Sequence, residues 1–102
     1  MKVIVDFCLI PLGVGVSLSP YIAHCLEILK EGDLEYNLHA YGTTIQGNWD
    51  EVFAAVKACF EAVHRDGAPR VHATLKVGTR TDRDQTMADK TASVMSLLNG
   101  TL

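Results

Sequence analysis

Lys2-Val3-Ile4-Val5-Asp6-Phe7-Cys8-Leu9-Ile10 (KVIVDFCLI, residues 2–10) is the run on which the fold turns. Val3, Val5, Phe7 and Leu9 form one apolar row. Lys2, Ile4, Asp6, Cys8 and Ile10 form the other. A period of two is the pattern of a β-strand, because successive side chains leave a strand on opposite faces. Pro11, Gly13 and Gly15 end the run.

Working outward, Ser19-Pro20 reads as a helix start: Ser as the cap, and Pro where its missing N–H is not needed. Ile22, Leu26 and Leu29 share a face of this first helix, placed at 20–31, with Gly32 as the left-handed residue after it. Leu34–Tyr41 alternates again as a second strand, and Gly42 breaks it. Thr43–Gln46 is a short third strand returning through a tight turn. Asn48 and Glu51 resemble a capping box for a second helix at 49–65, whose inner face is Val52, Val56, Cys59, Phe60 and Val63. Gly67 ends it. Arg70–Val77 is the fourth strand. After a polar loop, Asp82 with Gln85 is expected to cap a third helix, its inward stripe Met87, Thr91, Val94 and Leu98.

The order β-α-β-β-α-β-α defines the fold class: α+β, a ferredoxin-like βαββαβ sandwich with an extra C-terminal helix. The length of 102 residues fits a single domain, 1–102, with no internal repeat.

Composition narrows the function. Nine basic against twelve acidic residues give a net charge of −3, without the basic excess of a nucleic-acid binder. Residues on strands one and three also lack the stacking aromatics that RNA-recognition modules of this topology display. No run is long enough for a membrane span, and the start lacks the features of a signal peptide. Cys8, Cys25 and Cys59 are odd in number, with no C-x-x-C, which reads as reduced thiols in a cytoplasmic protein without a structural metal. No phosphate-loop or G-x-S-x-G motif occurs, and Trp49 reads as packing over the start of the second helix.

The apolar share, 48%, is high for one small core. The sheet face away from the helices should carry Lys2, Ile4, Asp6, Cys8, Ile10, Glu35, Asn37, His39, Tyr41, Arg70, His72, Thr74 and Lys76. A face so mixed meets another sheet or a ligand. It is therefore the expected surface for self-association, as a homodimer or homotetramer. On the same face, Asp6, His39, Tyr41, Thr43 and Thr44 offer a carboxylate, an imidazole, a stacking ring and hydroxyls, a set able to hold a small polar heterocycle. Pairing of Asp6 with Arg70 or Lys76 is the structural alternative. Arg70, His72, Lys76 and Arg80 are expected to hold an anion or an interface, with Asp82 close enough to neutralise Arg80.

Ile10-Pro11-Leu12-Gly13, Ser19, the run Gly42-Thr43-Thr44-Ile45-Gln46-Gly47, Arg70-Val71, Thr74-Leu75-Lys76-Val77, Arg80, Asp82 and Asp89-Lys90 together resemble the small thiamine-binding (YkoF-like) proteins. Gln46 stands where other members carry Glu. The resemblance implies sheet-joined dimers, often paired into tetramers. It also implies binding of thiamine or its hydroxymethylpyrimidine moiety, with no known catalysis; no cofactor is expected. The alternatives are a small enzyme of the same fold, with His39 or His72 as general base and Arg80 or Lys76 holding an anionic substrate, or a structural oligomer with no ligand.

Overall fold

The computed structural model describes residues 1–100, so the last two residues of the 1–102 span lie outside the described residues. Its elements are β1 (Lys2–Leu12), α1 (Ser19–Glu31), β2 (Glu35–His39), β3 (Gly42–Asn48), α2 (Trp49–Arg65), β4 (Arg70–Gly78) and α3 (Met87–Leu98). The strands form one antiparallel sheet in the order β2-β3-β1-β4, the ferredoxin-like arrangement. This is the sheet expected from the β-α-β-β-α-β order of the sequence.

One face of the sheet is the core. Val3, Val5, Phe7 and Leu9 are buried beside Ile45, against Cys25 and Leu29 of α1 and Val52, Val56 and Val63 of α2. Each such side chain contributes roughly 1.5–3 kcal/mol of burial. The two helices pack on each other where the Cys59 thiol, fully buried, donates to the Cys25 carbonyl at 3.8 Å. His24 of α1 donates from Nδ1 to Asp66 Oδ2, 2.6 Å, at the C-cap of α2. The Asp66 carboxylate raises the pKa of His24 above its ordinary 6.5.

The local signals are only partly used. β1 runs two residues beyond 10, through Pro11. The second strand is shorter than expected and the third longer, because Ala40 and Tyr41 form the turn between β2 and β3. Leu18, not Ser19, is the N-cap of α1 and makes no side-chain bond. Asn48 caps α2 in position only, so the expected box with Glu51 does not close. Gly32 keeps a negative φ, and the left-handed residue is Asp33, at φ 56°.

The larger correction concerns α3. Thr86 is its cap, in a closed capping box with Asp89: Asp89 N–H donates to Thr86 Oγ1, and Thr86 N–H donates to Asp89 Oδ2, each at 3.0 Å. Asp82 instead forks with Arg80, whose guanidinium also donates to Gln85 Oε1 at 3.0 Å. This pairing holds the Asp82 carboxyl down at about 2. The expected inward stripe of α3 is not inward, since none of its residues is buried and Val94 and Leu98 are largely exposed. Its first turn is tied down by Met87 N–H, which donates to Gln46 Oε1 at 2.6 Å. The described chain measures 51 × 28 × 21 Å with a radius of gyration of 15.3 Å, above the ~13 Å of a compact chain this long.

Candidate functional site

Register places the candidate residues. Across the uncovered face, Asn37, Thr44, Asp6 and Lys76 form one row, one from each strand. Thr44 Oγ1 donates to Asp6 Oδ1 at 3.3 Å. His39, paired with Gly42, leans across from β2 and donates from Nε2 to the same oxygen at 2.7 Å. Gly42 leaves room for this: a Cβ there would stand 3.4 Å from His39 Cε1 and 2.8 Å from the Phe7 carbonyl oxygen. Tyr41 N–H donates to His39 Nδ1 at 3.4 Å, which fits the tautomer with the proton on Nε2. Asp6 Oδ2 has no hydrogen-bond partner among the described residues. Tyr41 sits at the tip of the β2–β3 turn with its ring open to solvent.

Thr43 is not part of this cluster. Adjacent strand residues face opposite ways, and Thr43 pairs with Phe7 and Leu38 on the helix side, where it is buried. It lines a groove of about 610 Å³ instead, bounded by the end of β1, the β2–β3 turn and α1. Leu38, Ile22 and Leu26 supply apolar walls, while His39 and Tyr41 lie at the edge shared with the open face. Leu38 is 58% exposed although it points to the helix side, because α1 does not cover it. Sequence reasoning missed this groove. Its trace in the sequence is that the first strand outlasts the third.

The expected cationic set does not assemble within one chain. Arg70 pairs with Leu12 at one end of β4, whereas Lys76 stands six residues on, about 20 Å away at ~3.3 Å per residue. Arg80 is occupied by Asp82 and Gln85. His72 faces Ile10, two rows from Asp6. Lys76 lies opposite Asp6 in register, yet among the described residues no ion pair joins them, so the partners of Asp6 are His39 and Thr44. Trp49 packs against Phe53 with ring centroids 4.6 Å apart and the rings tilted by 39°. Among the described residues no three His, Cys, Asp or Glu side chains gather at metal-holding distance. No described helix is long and apolar enough to cross a membrane.

Residues 5–95, carrying the cluster, the groove and most of α3, match the family described as thiamine-binding protein. The chain belongs to this family. It is 59% identical over 98 residues to the UPF0045 protein sll0230 of Synechocystis, covering 96% of this chain and 81% of that one. It is 38% identical over 91 residues to the UPF0045 protein ECM15 of Eremothecium gossypii, covering 88% and 87%. Among solved structures, the hypothetical protein MJ1052 of Methanocaldococcus jannaschii superposes with a TM-score of 0.85 at 33% identity, over 92% of this chain and 96% of that one. A putative thiamine biosynthesis/salvage protein of Thermotoga maritima superposes at 0.79, over 92% and 99%, but at 20% identity shares the fold alone.

Proposed function

We propose that this thiamine-binding family member is a non-enzymatic, homo-oligomeric binding protein for thiamine or its hydroxymethylpyrimidine moiety. The observation that carries the reading is the Asp6–His39–Thr44 cluster at the edge of an apolar groove, with one carboxylate oxygen unshared. Thiamine joins a neutral aminopyrimidine to a cationic thiazolium. Asp6 and the open ring of Tyr41 suit the cation, and the groove suits the flat neutral ring. Binding rather than turnover is supported by His39, whose ring nitrogens are both engaged, one by Asp6 and one by Tyr41 N–H.

Self-association is supported by the half-exposed Ile4, Cys8 and Ile10 on the open sheet face and by the exposed apolar residues of α3. Arg70, His72 and Lys76 lie on this face, where they would meet a second copy. A cytoplasmic setting accords with three cysteines that form no disulfide. Titration calorimetry with thiamine is the test. Saturable heat with a rise in melting temperature is expected, and neither at millimolar ligand would refute the reading.

A further inference from the structure

β1 outruns its neighbour on one side. β3 pairs with it from Lys2↔Asn48 only as far as Phe7↔Thr43, whereas β4 continues to Leu12↔Arg70 without a change of register. In an antiparallel ladder, alternate residues turn their N–H and C=O toward opposite neighbours. Phe7 turns toward β3, as the closeness of its carbonyl oxygen to Gly42 shows. The β1–β4 register carries no bulge, so Leu9 and Pro11 turn the same way, past the point where β3 has begun. Pro11 has no N–H to leave unpaired there, which is where a strand tolerates proline. Leu9 has both groups. Among the described residues no turn or loop hydrogen bond reaches Leu9, and Leu9 lines the groove beneath the β2–β3 turn.

A backbone donor and acceptor facing an apolar groove are costly unless something satisfies them. We infer that Leu9 N–H and C=O form a recognition edge for a flat heterocycle carrying a ring-nitrogen acceptor beside an amino donor, the pattern of an aminopyrimidine. Leu9 N–H donates to the ring nitrogen, and the amino group donates to Leu9 C=O. Leu38, Ile22 and Leu26 flank the ring faces, with the Thr43 hydroxyl alongside. The second half of the ligand leaves past His39 and Tyr41 toward Asp6. This deepens the binding reading above and rests on it: it assigns the neutral ring to the groove, the cation to the open face, and selectivity to main-chain atoms.

The test is heteronuclear NMR of the ¹⁵N-labelled protein, with thiamine and with 4-amino-5-hydroxymethyl-2-methylpyrimidine as probes. The Leu9 amide should move downfield and exchange more slowly with either probe. The same pyrimidine without its 4-amino group should bind at least tenfold more weakly. Saturable thiamine binding with an unmoved Leu9 amide, or undiminished binding of the deaminated ring, overturns the edge and leaves the binding reading standing. An amide already protected in the free protein, and exposed on dilution, shows the edge taken by a second copy and also overturns it. No binding of either probe overturns both readings.

Discussion

His39 crosses β3 diagonally to reach Asp6, its Nε2 2.7 Å from Oδ1, over a position that has no side chain. The imidazole and the Thr44 hydroxyl thus both donate to one carboxylate oxygen, leaving the other for a ligand. Asp6→Asn keeps the shape of this side chain and removes its charge. Both side chains are about two-fifths exposed, so solvent already weakens the interaction. The expected loss of thiamine affinity is about tenfold, or ~1.4 kcal/mol. Calorimetry checks it; unchanged affinity would remove Asp6 from the site.

Gly42 is tested by stability. Its neighbour at 2.8 Å is the Phe7 carbonyl, part of the backbone and unable to swing aside. Gly42→Ala should therefore cost about 1–3 kcal/mol in urea unfolding, as overpacking does. It should also displace the His39 ring. A melting temperature equal to the parent's would show that β3 can shift to accept the methyl.

Much of the fold was legible because the core strand alternates cleanly and the helices carry regular stripes. Strand registration was less so. Thr43 and Thr44 are chemically alike, and only their pairing, with Phe7 and Asp6 respectively, tells which face each one takes. Capping was also misread: Asp82 precedes Gln85 by three residues as a cap would, yet it pairs with Arg80, and Thr86 closes the box with Asp89. The groove was invisible because it arises from unequal strand lengths, which no residue type announces.

Gln46 acts as a two-way amide. Its Nε2 donates to Glu35 Oε2 at 2.6 Å, and its Oε1 accepts from Met87 N–H at 2.6 Å. Gln46→Glu keeps the acceptor and replaces the donor with a charge facing Glu35. About 1 kcal/mol of stability should be lost near neutral pH. Most of it should return in acid, where one proton is shared between the two carboxyls. A pH-independent loss would point instead to the tie between Gln46 and α3.

The His24–Asp66 pair makes stability depend on pH with a fixed sign. Asp66 raises the folded pKa of His24 above its ordinary 6.5, so the folded state holds this proton more tightly than the unfolded chain. The contribution is complete below 6.5 and fades as pH climbs through the higher folded value. His24→Gln should therefore fall furthest below the parent at about pH 5.5 and approach it at about pH 8.5. Urea unfolding at the two pH values checks this; a gap that widens with pH would reverse the assigned sign.

The exposed stripe of α3 bears on assembly. A helix of 12 residues is marginal alone in water, and this one is anchored at its first turn by the Thr86–Asp89 box and the Gln46 tie. Val94 and Leu98 face solvent in the single chain, so charging them removes little that the monomer uses. The double variant Val94→Lys, Leu98→Lys should therefore unfold within about 0.5 kcal/mol of the parent if each is compared as a monomer. In the proposed oligomer those side chains would meet a second copy, where two buried ammonium groups are costly. Light scattering at matched concentration should show the variant at a lower mass than the parent. Ile10→Lys makes the same change on the open sheet face and separates the two surfaces. If only Ile10→Lys lowers the mass, the copies join through their sheets and α3 stands clear. If only the α3 variant does, the helix is the contact and the sheet face is left open to ligand.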